Sequence, residues 1–97
     1  MTKIGTFNIE ESFNITNRGI VILGHSPNTI IKLGLYVSLD IRETTTVYKI
    51  IGIESGKNLD LEYIKKGLLL SISDPIQVDY IAHNKIINKT VDILTPA

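Results

Sequence analysis

Phe7-Asn8-Ile9-Glu10-Glu11-Ser12-Phe13-Asn14-Ile15, then Asn17-Arg18-Gly19, then Ile20-Val21-Ile22-Leu23-Gly24, is the stretch whose reading decides the fold class. Phe7, Ile9, Glu11, Phe13 and Ile15 share one parity, and Thr6, Asn8, Glu10, Ser12 and Asn14 share the other. A period of two is that of a β-strand, whose side chains alternate between faces. The adjacent acids Glu10-Glu11 predict a kink, either within one strand or between two. Asn17-Arg18-Gly19 predicts a turn. Ile20 to Leu23 is apolar at both parities, as in a strand packed on both faces or a barrel strand at a crossing. Gly24 is expected to end that strand, and His25-Ser26-Pro27-Asn28 to form a loop.

Downstream, the same signals recur. Ile30-Ile31-Lys32-Leu33-Gly34 leads into a second alternation, with Leu35, Val37, Leu39 and Ile41 on one face and Tyr36, Ser38, Asp40 and Arg42 on the other. Thr44 to Ile53 predicts another strand, with Gly52 as a bulge or a point of close approach. One short helical turn is expected near residues 59–66, capped by Asn58 or Asp60 and stopped by Gly67. Leu68-Leu69-Leu70-Ser71-Ile72 predicts a core strand. Asp74-Pro75 breaks the pattern, and two weaker strands follow within 76–94, around a polar turn at His83-Asn84.

Composition agrees with this pattern. There are 18 isoleucines against two alanines, and β-branched side chains suit a pleated surface better than a helix. Short, closely spaced strands predict an all-β, small Greek-key β-barrel as a single domain over residues 1–97. Closure removes the exposed edges that an isoleucine-rich chain could not leave open.

Charge and cysteine content exclude several functions. Ten basic residues balance ten acidic ones, which excludes a strongly basic nucleic-acid binder or a polybasic membrane binder. The chain has no cysteine, so no disulfide framework, thiolate metal site or cysteine nucleophile is available. No segment approaches 18 apolar residues, and Met1 to Gly5 carries no apolar leader. The expectation is a soluble cytoplasmic protein with no membrane role.

A family pattern runs through these strands. Phe7 to Ile15 followed by Arg18-Gly19, three strand residues and Gly24 resembles the opening of the second (β-barrel) domain of translational GTPases such as elongation factor Tu. Ile30-Ile31-Lys32-Leu33-Gly34 resembles that family's next turn, and Gly52-Ile53-Glu54 its Gly-Val-Glu. Leu59 with Ile64-Lys65-Lys66-Gly67-Leu68-Leu69-Leu70 resembles the approach to its closing strand. The likeness covers residues 7–73 and implies a stand-alone, abbreviated barrel of the translation-factor domain 2 type. No P-loop occurs, so the GTPase domain is absent from the sequence. A strand usual in the family is missing between Glu54 and Leu59, and the segment after Asp74 is a candidate to supply it. In the family this domain helps to hold the terminal adenosine of aminoacyl-tRNA and touches the small ribosomal subunit. By the resemblance, Glu54 falls where the family has a contacting glutamate and Ser26 where it has an apolar pocket residue. Phe7 and Phe13 are expected to fill a barrel that lacks tryptophan.

No catalytic constellation emerges. His25 and His83 lack a second histidine at ligand spacing and read as exposed loop residues, so no metal site is expected. Glu10 and Glu11 are neighbours on a strand and point to opposite faces, which separates them as an acid–base pair; one is expected at a rim or paired with Arg18. Gly24-His25-Ser26 lacks the Gly-x-Ser-x-Gly elbow, and no glycine cluster cradles a phosphate, so no cofactor is expected. Lys65-Lys66 with Arg18, Lys32 and Lys49 form a candidate basic face, with Tyr36 and Tyr48 as outward stacking candidates. The candidate partner-binding residues are Arg18, Lys32, Lys49 and Glu54. The expected function is a non-catalytic binding module with a protein or ribonucleoprotein partner rather than free nucleic acid. The alternatives are a homo-oligomer formed through residues 76–94, or an RNA-binding barrel.

Overall fold

The computed structural model describes residues 1–15, 18–41, 43–57, 64–84 and 89–96. Among these, six strands and one helix follow in the order β1 (Thr2–Ile15), β2 (Gly19–His25), β3 (Tyr36–Ile41), β4 (Thr44–Lys57), β5 (Ile64–Leu70), α1 (Pro75–Asn84) and β6 (Lys89–Thr95). The strands close into an antiparallel barrel in the order β1-β2-β5-β4-β3-β6. Strands β3, β4 and β5 follow one another as neighbours, and β6 returns to lie beside β3, which is a Greek key. The all-β, closed Greek-key barrel expected from the alternation is thus present.

Alternation sets the interior. Phe7, Ile9, Ile20, Ile22, Val37, Leu39, Ile50, Leu68, Leu70 and Ile93 are fully buried, and residues between them on each strand face outward. Register shifts fall between Ile9 and Glu11 on β1 and between Ile50 and Gly52 on β4, where the sequence predicts a kink and a bulge. Two glycines sit at turns in the left-handed region, Gly19 at φ 114° and Gly34 at φ 89°, where a β-carbon would be strained. β6 closes the barrel between β1 and β3. It pairs with β1 from Thr2↔Thr95 to Ile9↔Lys89 and with β3 from Tyr36↔Leu94 to Ser38↔Asp92.

Several expectations are corrected. Residues 76–80 are helix, not strand, and His83-Asn84 belong to the end of α1 rather than to a turn. The signal for this helix is local: Asp74 accepts from the Ile76 amide through its side chain (2.9 Å), its carbonyl accepts from Val78 (3.0 Å), and Pro75 occupies the first helical position. Of the helical turn expected at 59–66, residues 64–66 lie in β5, and 59–63 lie outside the described residues. β2 also runs through Gly24 to His25. Asp74→Ala is expected to cost about 1 kcal/mol in urea unfolding, the usual effect of losing an N-cap.

α1 anchors to the barrel through Ile81, which is buried, and through Tyr48, whose hydroxyl donates to Gln77 Oε1 at 2.7 Å. Tyr48 was expected to face outward for stacking; it is buried instead, because it lies on the inward face of β4, opposite Val37 and two residues from Ile50. Burial pushes its phenol above the ordinary value, a hydrogen bond with Thr46 opposes this, and the Asp74 charge reinforces it. The folded chain therefore holds this proton to higher pH than the unfolded chain. Its contribution to stability is complete below the unfolded value and is lost as pH rises through the folded one. The urea midpoint should fall above about pH 10, and Tyr48→Phe should remove part of that fall.

Candidate functional site

The strongest candidate site lies on the outside of the barrel, where β1, β2, β5 and β4 form one continuous surface. Ile20, Ile22, Leu68 and Leu70 point inward, so the residues between them, Val21 and Leu69, point outward. The cross-strand register puts Phe13 opposite Val21, Val21 opposite Leu69, and Leu69 opposite Gly52. Directly paired residues share a face, so this is a single apolar row across four strands. The next row is Glu11, Leu23, Gly67 and Glu54.

A groove of about 150 Å³ opens on these rows, lined by Ile15, Arg18, Val21, Gly52, Ile53, Glu54, Gly67 and Leu69. Its floor is low because two of those positions lack side chains. A β-carbon at Gly52 would lie 3.1 Å from Leu69 Cβ, and one at Gly67 would lie 3.3 Å from Val21 Cγ1. An Arg18 guanidinium nitrogen lies 3.6 Å from Glu54 Oε1, with the two side chains 55% and 77% exposed. An exposed pair of this kind contributes little to stability. Both groups remain accessible to a partner.

Of the four residues expected to bind, the structure brings together Arg18 and Glu54. Lys32 lines a different, broader cleft with Ile4, Pro27, Asn28 and Ile30. Lys49 is exposed on β4 opposite Tyr36. Lys65 is engaged by Glu10, its Nζ 3.5 Å from Oε1. Of the two alternatives for an acid of the Glu10-Glu11 pair, a rim position or a pairing with Arg18, Glu10 shows no pairing with Arg18: its carboxylate turns toward β2 and β5, and the pair found for Arg18 is Glu54.

The same bulge builds a second polar cluster. His25, at the end of β2 rather than in a loop, places Nδ1 3.9 Å from Glu10 Oε2. Asn8 lies opposite His25, its Nδ2 3.3 Å from His25 Nε2, and Thr90 Oγ1 donates to Asn8 Oδ1 at 2.8 Å. This chain of contacts ties β1, β2, β5 and β6 together. Ser26 donates to the Thr6 carbonyl at 2.8 Å, pinning the loop after β2 to β1.

No protein-family model matches this chain, and no curated protein matches it as a relative.

The sequence reading missed the apolar members of the groove, Ile15, Val21 and Leu69, and the role of Phe13. Their signal is the outward parity of apolar residues on three strands. It becomes a surface only when the register is known, because β2 and β5 are joined by neither turn nor proximity in the sequence.

Proposed function

We propose that this chain is a non-catalytic binding module that engages a protein or ribonucleoprotein surface through the outer face of β1-β2-β5-β4. One observation carries the reading: an apolar-floored groove with a cation and an anion at its mouth, open to a partner. Among the described residues, its lining offers no hydroxyl, imidazole or amine beside Glu54. Such a groove suits recognition of a side chain with a polar neighbour.

The likeness to the second domain of translational GTPases fits this reading. The Greek-key order, the turn glycines Gly19 and Gly34, and Glu54 at the groove agree with what that likeness implies. An RNA-binding role is the second reading, favoured by the position of Glu54. It is disfavoured by the charge, since Arg18 is the one cation among the described residues of the groove and the sequence is neutral overall.

The test is a photoreactive benzoyl-phenylalanine in place of Ile15, with adducts identified by mass spectrometry from the native cell. Adducts to protein are expected. Adducts to RNA alone would transfer the reading to nucleic acid, and the absence of any adduct would end it. The self-association expected through residues 76–94 loses its premise. That premise is exposed alternating strands, whereas residues 75–84 are helix and β6 is used in closing the barrel.

A further inference from the structure

The outer face has a shape that matches itself. In the row Phe13, Val21, Leu69, Gly52, the largest side chain stands at one end and the position without a side chain at the other. Phe13 is 47% exposed despite its size. A two-fold axis lying between two such faces, parallel to the strands and midway between Val21 and Leu69, reverses the row. Phe13 of each copy then stands over Gly52 of the other, and Val21 over Leu69. The groove beside Gly52 holds about 150 Å³, and an apolar cavity of about that volume accepts a benzene ring.

The charges obey the same operation. Arg18 reaches across from the β1–β2 turn to Glu54 on β4. The axis brings Arg18 of each copy to the side of the partner's Glu54, so each ion pair can exchange between chains without leaving a charge unmatched. A zero net charge removes general repulsion between copies. The strand axes of the two faces are aligned, which suits aligned sheet packing.

We infer that the partner of this face is a second copy of the chain, in a two-fold dimer where Phe13 fills the partner's groove and Arg18 pairs with the partner's Glu54. This inference rests on the groove being the binding surface. Four strands at about 4.8 Å spacing give a contact smaller than the roughly 800 Å² per partner of a standard interface. The dimer is therefore weak and reversible, forming in the micromolar range or above.

Sedimentation velocity of the full chain from about 10 μM to about 1 mM spans that regime. The wild type is expected to shift from monomer to dimer. Arg18→Glu and Glu54→Arg alone should each weaken the dimer at least about tenfold, since each sets like charges across the axis. Their equimolar mixture should associate again, because one end of the mixed pair then sets the two substituted positions, of opposite charge, against each other, and the other end keeps native Arg18 against native Glu54. Phe13→Ser should stay monomeric with an unchanged thermal transition, as its ring makes no part of the interior. A wild type that is monomeric throughout, a mixture no tighter than its components, or a Phe13→Ser variant that dimerises normally would each overturn the inference. If the wild type is monomeric while the Ile15 probe captures a different protein, the groove reading stands and only the second copy falls.

Discussion

Gly24→Ala should remove most of the stability of this barrel. A β-carbon at Gly24 would lie 1.8 Å from the Asn8 carbonyl oxygen, 2.9 Å from its carbon and 3.2 Å from Ile9 Cα. All three are backbone atoms, so no side chain can swing away to make room. Asn8 and Ile9 lie opposite His25 and Gly24, immediately before the register shift at Glu10, and the two strands approach there more closely than a side chain permits. Relief requires β1 to move away from β2, which would also break up the Glu10–His25–Asn8 cluster built across the same point. The expected loss is about 4 kcal/mol or more, from a total that domains of this size hold at about 5–15 kcal/mol. Urea unfolding, with the free energy extrapolated to water, measures it. Gly34→Ala is the control. Nothing lies within 4 Å of a β-carbon there, and only its φ of 89° is unfavourable, so the cost should stay near 1–2 kcal/mol. Equal costs at the two positions would refute the close-approach account.

The second large effect separates the two phenylalanines. Phe7→Ala should cost about 3–5 kcal/mol, because its ring is wholly buried and its loss leaves a cavity. Phe13→Ala should cost less than about 1 kcal/mol in monomeric protein, because its ring lies outside. Urea midpoints at low protein concentration compare the two. A cost of several kcal/mol at Phe13 would mean that its ring is packed inside, and would remove the outward row with it.

That contrast also marks how far the sequence could be read. Phe7 and Phe13 share a parity, and an unbroken strand would bury both. The bulge at Glu10 shifts the register by one residue, which reverses the phase of the second half: Ser12 turns inward and Phe13 outward. The kink was legible in Glu10-Glu11, but the direction it imposes on residues 12 to 15 was not, because phase depends on the partner strand. The helix at Pro75–Asn84 failed for a different reason. Ile76, Val78 and Tyr80 alternate as a strand would, while the cap at Asp74-Pro75 points to helix; tertiary packing of Ile81 and Tyr48 follows the cap. At the groove, the charged pair was legible as candidates, since both residues sit in recognisable motifs. Their union and the apolar floor needed the pairing of β2 with β5, a long-range fact that no local spacing encodes.

The seam between β1 and β6 carries one more consequence. Thr2 lies opposite Thr95, so the wall can be sealed only when residue 95 is available to pair. During vectorial synthesis, the N-terminal half of β1 and the β6-facing side of β3 must wait, uncovered, until residues 89–95 have left the ribosome tunnel. Such distant pairings are slow to form. A nascent barrel of this topology is therefore most open to wrong partners, and most in need of a chaperone, in the interval just before its last strand emerges.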